Sequence, residues 1–121
     1  IKLMVKNDLS VKKSRILVLG ITFKENCPDI RNSRVIDMVR ELKNFGTEMD
    51  VFDPYANKEE VFDEYGISLA PKIGKGYDAI ILAVGHDKFK ELDLANLKSS
   101  NRAVIFDIKS FYPKKWVTDR L

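Results

Sequence analysis

The stretch Arg15–Ser33, RILVLGITFKENCPDIRNS, brings Lys24, Asp29 and Arg31 together behind an apolar run. The run ends in a small-residue turn, and the charged residues follow just ahead of an amphipathic segment. In an open α/β sheet, ligands sit at the loops leaving the carboxyl ends of the strands, and helix N-termini there favour anions. The chemistry on offer is capture of a phosphate-bearing ligand. A solvated loop, in which Asp29 offsets the dipole of the following helix and Arg31 pairs with it, accounts for the same three residues.

Other reactive side chains carry less. Cys27 has no glycine-rich strand end or nearby histidine to activate it, and reads as an ordinary loop cysteine. His86 follows an apolar run at a ligand-facing edge and reads as a helix-start or structural residue. Gly20 is followed by Ile21, Thr22 and Phe23, so the Gly-x-Gly-x-x-Gly turn of a standard NAD half-site is missing, as is a Walker-type loop. A single cysteine without a histidine cluster makes neither an internal disulfide nor a zinc site. No catalytic residue and no metal ligand is expected.

Strands and helices must alternate to place this loop. Ile16, Leu17, Val18 and Leu19 form a continuous apolar run suited to a strand buried on both faces. Asn32 or Ser33 is expected to cap a helix with Val35, Ile36, Val39, Leu42 and Phe45 at helical spacing and Gly46 as its stop. A second strand is expected over Glu48–Asp53, a helix over Lys58–Tyr65 before Gly66, and a short third strand over Ile67–Leu69. Lys72–Gly76 reads as a turn or brief helix, Ala79–Val84 and Ala103–Ile108 as further strands, and His86–Leu97 as helical pieces. Ile1–Leu9 is weakly helical. The alternation implies an α/β fold, a three-layer αβα sandwich around a doubly wound, mostly parallel sheet of about five strands.

The chain's 121 residues suit one domain, and 45% hydrophobic with 32% charged residues is ordinary for a globular protein. No apolar run approaches the ~20 residues of a membrane span. The net charge of +3 is dispersed among acids, without the one-sided basic stripe interleaved with aromatics that nucleic-acid binding uses. The lone cysteine fits a cytoplasmic setting. The chain opens on Ile1 without a signal sequence, and is expected to be a fragment of something longer.

Four segments then make a pattern: Gly20-Ile-Thr-Phe-Lys-Glu-Asn-Cys-Pro-Asp-Ile-Arg-Asn-Ser33, Asp53-Pro54, Ala83-Val-Gly-His-Asp-Lys-Phe89 and Phe106-Asp-Ile-Lys109. In order and approximate spacing they resemble the C-terminal domain of the UDP-glucose/GDP-mannose dehydrogenase family. The Asn-Cys-Pro-Asp-x-Arg-Asn-Ser loop looks most like the branch that oxidises UDP-N-acetylhexosamines for capsule or O-antigen polysaccharide. The resemblance implies a Rossmann-like, UDP-binding C-terminal domain over 15–121, with residues 1–14 the tail of a connecting helix and linker. It further implies that Phe23 and Lys24 contact the nucleotide-sugar, that Lys109 approaches the substrate, and that Arg31 reaches NAD bound mainly on an absent first domain. Ser110 and Phe111 depart from a position where the family often has glycine.

The resemblance also implies the whole enzyme's reaction, two NAD-dependent oxidations of C6 of the UDP-sugar, through a cysteine in a preceding region that nothing here matches. This chain by itself is then inactive, and its partners are the remaining domains of an enzyme expected to be a homodimer. Two rivals are a receiver-like signalling domain built on Asp53 and Lys109 and a stand-alone nucleotide-binding module. A receiver needs an acidic pair at the end of its first strand, where this chain has Gly20, Ile21 and Thr22.

Overall fold

Alternate residues of the first apolar run enter opposite cores. Ile16 and Val18 join one cluster with Ile36, Val39, Val51 and Val61, while Leu17 and Leu19 join a second with Ile80, Leu82, Phe89 and Ile105. A strand buried on both faces requires layers on both sides of a sheet. In the computed structural model, which describes residues 1–6 and 9–120, β1 (Arg15–Leu19) is such a strand. Asn7 and Asp8 of the expected Ile1–Leu9 helical stretch, and Leu121, lie outside the described residues.

The remaining strands are β2 (Glu48–Phe52), β3 (Ala79–Leu82), β4 (Val104–Asp107) and β5 (Asp119–Arg120). All pair parallel in the order β2-β1-β3-β4-β5. Leu19 stands opposite both Phe52 and Leu82, and Leu82 opposite Asp107, so the loops after β1, β2, β3 and β4 leave from one edge. The chain reverses its direction of travel across the sheet between β1 and β3, the switch point where such sheets bind ligands.

The helices α1 (Lys2–Lys6), α2 (Val35–Asn44) and α3 (Lys58–Tyr65) supply Met4, Ile36 and Val61 to the first core. A 3-10 helix over Asp87–Glu91 and α4 (Leu94–Leu97) supply Phe89 and Leu94 to the second. The α3 boundaries match expectation because Asn57 accepts from the Glu59 and Glu60 amides and Gly66 ends the helix at φ 70. No helix among the described residues is long and apolar enough to cross a membrane.

Three expected features differ. Ile67–Leu69 is no strand: Leu69 is buried in the first core, and the Ala70 amide makes a single bond to the Val51 carbonyl instead of a ladder. The fifth strand is β5, a two-residue pairing at the far edge whose length gives no periodicity to read. Neither Asn32 nor Ser33 caps α2. Arg34 occupies that position without a side-chain bond, Asn32 is at φ 59, and the buried Ser33 hydroxyl has no hydrogen-bond partner.

Candidate functional site at the carboxyl edge

The loop after β1 is built from its anchors outward. Gly20, at φ 97, lies so close to the segment after β3 that a Cβ there would fall 2.5 Å from the Val84 Cβ. Its amide donates to the Phe52 carbonyl at 2.9 Å, and the next two amides, of Ile21 and Thr22, donate to Asp53 Oδ2 at 2.8 and 3.1 Å. Asp53 Oδ1 accepts from Tyr55 and Ala56 at 2.8 and 3.2 Å. One buried carboxylate thus ends β2 and starts the loop after β1.

His86 completes the anchor. It is fully buried, with Nε2 2.9 Å from Asp53 Oδ2 and 3.2 Å from the Thr22 hydroxyl. Its Nδ1 accepts the Asn26 amide proton at 2.8 Å, which places the ring proton on Nε2, facing the carboxylate. Burial pushes the Asp53 carboxyl up, and the hydrogen bonds from His86, Ile21 and Tyr55 outweigh it and hold the group below its ordinary value. His86 immediately precedes the 3-10 helix over Asp87–Glu91 and makes no side-chain cap bond to it.

Between these anchors the loop presents the expected ligand-facing residues. Phe23 is 55% exposed and Lys24 is exposed, while the Thr22 hydroxyl donates to the Lys24 carbonyl at 3.0 Å and the Phe23 amide donates to the Asp29 carbonyl at 2.7 Å. Their backbone is held while their side chains stay exposed. Cys27 is a half-exposed loop residue.

Arg31 is engaged with Asp29: Nε and Nη2 donate to its two carboxylate oxygens at 3.0 and 2.9 Å. This fork holds the Asp29 carboxyl down at about 2, yet leaves the Arg31 side chain 82% exposed in the loop ahead of α2. The Asp29–Arg31 pairing of the solvated-loop account is present, whereas the acid in the first turn of α2 is Asp37.

Lys109 is exposed in the loop after β4. Asp107, fully buried, accepts from the Lys109, Phe111 and Tyr112 amides at 3.0, 2.6 and 2.7 Å. Ser110 sits at φ 52, a left-handed conformation that favours glycine, and the Phe111 ring packs on Gly85, where a Cβ would lie 2.8 Å away. Since β3 separates β1 from β4, the Lys24 and Lys109 loops start about 10 Å apart on the same edge.

Sequence reasoning placed Lys24 and Lys109 at this edge, and missed that Asp53, His86 and Asn26 form one network. An Asp-Pro at the end of one strand and a histidine just past another were the available signals. Because Asp53 is buried with both oxygens accepting, it cannot serve as the exposed phosphoacceptor that a receiver domain requires.

The sequence model of the UDP-glucose/GDP-mannose dehydrogenase family, UDP binding domain, matches residues 17–114. A UDP-N-acetyl-D-glucosamine 6-dehydrogenase from Salmonella typhi is 44% identical over 124 residues, covering 100% of this chain and 29% of the relative. Protein CapL from Staphylococcus aureus is 40% identical over 112 residues, covering 90% of this chain and 26% of the relative. A solved UDP-D-ManNAc dehydrogenase from Pyrococcus horikoshii shares the fold at TM-score 0.75 and 24% identity, over 98% of this chain and 28% of that one. The chain spans less than a third of the length of these relatives.

Proposed function

We propose, from the premise that this chain belongs to the UDP-glucose/GDP-mannose dehydrogenase family, that it is the UDP-binding C-terminal domain of an NAD-dependent UDP-sugar 6-dehydrogenase. The substrate class is a UDP-N-acetylhexosamine, oxidised at C6 to the uronic acid for capsule or related polysaccharide. Residues 1–14 are then the tail of a connecting helix, and the enzyme is a cytoplasmic homodimer whose other domains carry the chemistry. The observation that carries this reading is the exposed Phe23 and Lys24 on a fully anchored loop at the β1/β3 switch point.

The division of labour follows from the side chains. Lys24 is a mobile point charge for a diphosphate, and Lys109 faces the same edge from two strands away. Phe23 offers an exposed ring to the nucleotide or sugar. With its Nε and Nη2 donating to Asp29, Arg31 offers its remaining guanidinium donors to a phosphate or amide of NAD, which when bound supplies the hydride acceptor; its exposure leaves it reachable from a facing domain. Closure of the domains dries the site and strengthens these charges at short range.

The test is a substrate panel on the full-length enzyme, following NAD reduction with UDP-N-acetylglucosamine, UDP-N-acetylgalactosamine, UDP-glucose and GDP-mannose. Turnover of a UDP-N-acetylhexosamine with kcat/KM above the other two supports the reading. Preference for GDP-mannose overturns the UDP assignment.

A further inference from the structure

The loop that presents Phe23 and Lys24 is held just beyond Lys24 by the turn after β3. Three hydrogen bonds cross between them: the Asn26 amide to His86 Nδ1 at 2.8 Å, Asn26 Nδ2 to Asp87 Oδ2 at 3.1 Å, and the Asp87 amide to Asn26 Oδ1 at 2.9 Å. Asn26 sits at φ 56, the left-handed region that asparagine enters more readily than most side chains. The partners that hold it are sixty and more residues away in sequence.

We propose that His86 and Asn26 are positioning residues for the nucleotide-sugar, a clamp that orders the Lys24 loop before the ligand arrives. The clamp acts through geometry alone. His86 Nε2 is fixed on Asp53, which also sets Ile21 and Thr22, so the residues on both sides of Lys24 hang on one buried imidazole–carboxylate pair. With Thr22 and Asn26 both pinned, the intervening Lys24 backbone has little freedom to lose at binding. An unclamped loop must be ordered by the ligand itself, and the cost appears as weaker binding. This inference rests on the nucleotide-sugar reading above.

The two nitrogens of His86 have separate jobs, so two replacements separate positioning from folding. His86→Gln keeps a donor near Nε2 for Asp53 and removes the acceptor for the Asn26 amide. His86→Asn keeps an acceptor near Nδ1 and gives up the Asp53 bond. In the full-length enzyme, His86→Gln is expected to raise KM for UDP-N-acetylglucosamine about five- to tenfold with kcat and the KM for NAD nearly unchanged, the scale of one lost hydrogen bond. His86→Asn restores KM toward wild type although it melts at a lower temperature. Asn26→Gly keeps the positive φ, loses the exposed side-chain bonds to Asp87, and raises KM about threefold or more without touching the buried pair.

Because His86 is buried, its variants are read beside Asn26→Gly, which decides the question even where they fail to fold. An unchanged substrate KM in Asn26→Gly, or equal KM values in folded His86→Gln and His86→Asn, overturns the clamp alone. A wild-type enzyme that shows no saturable response to any UDP-sugar overturns the underlying functional reading and the clamp with it.

Discussion

His86 Nε2 lies 2.9 Å from Asp53 Oδ2 with both side chains at 0% exposure, which ties the ends of β3 and β2 together across β1. Four backbone amides, from Ile21, Thr22, Tyr55 and Ala56, share the same carboxylate. The carboxyl edge of this domain is organised around that single group.

Asp53→Asn is therefore expected to lower unfolding free energy by about 3 kcal/mol or more, because a buried acceptor for several donors is replaced by a group with one acceptor and a competing donor. The pH dependence gives a second readout. Asp53 is held below its ordinary value of 3.8 when folded, so its contribution is present above that value and is lost as pH falls through the lower folded one. Urea unfolding from about pH 5 downward should show a shallower acid slope in Asp53→Asn than in wild type. Parallel slopes would contradict the role assigned to the carboxylate.

Gly20→Ala is expected to cost about 3 kcal/mol or more. The new Cβ would meet the Val84 Cβ at 2.5 Å and its backbone nitrogen at 2.9 Å, at a φ of 97 that side chains avoid. Thermal unfolding should report a midpoint lower by roughly 10 °C or more. A loss of only a degree or two would mean that β1 and β3 separate more easily here than their packing implies.

Arg31→Ala should leave the melting temperature within about 2 °C of wild type, since an exposed ion pair contributes little to stability. In the full-length enzyme the same change is expected to raise KM for NAD several-fold while KM for the UDP-sugar holds. Steady-state kinetics with each substrate varied in turn separates the two. A change confined to the UDP-sugar would move Arg31 to the substrate side.

Much of this was legible in the sequence where local physics decides. Asn57 and Gly66 bound α3 by cap chemistry, and the unbroken run Ile16–Leu19 forced a strand with two buried faces. The parallel pairing followed from alternation, and with it the edge that carries Lys24 and Lys109. Illegible features were set by distant partners. The two-residue β5 exists only because β4 pairs with it, and Ile67–Leu69 spends its apolar side chains on the core without laddering. Asn26, His86 and Asp53 are far apart in sequence and each ordinary alone, so their network needed coordinates.

The central claim is that this carboxyl edge grips the UDP part of the substrate through Lys24. Calorimetric titration of UDP into the full-length enzyme and into its Lys24→Ala variant tests it most directly. The account predicts dissociation weakened about tenfold in Lys24→Ala, the scale of one charge-assisted contact, with the folding midpoint unchanged. Equal UDP affinity in the two proteins would contradict it.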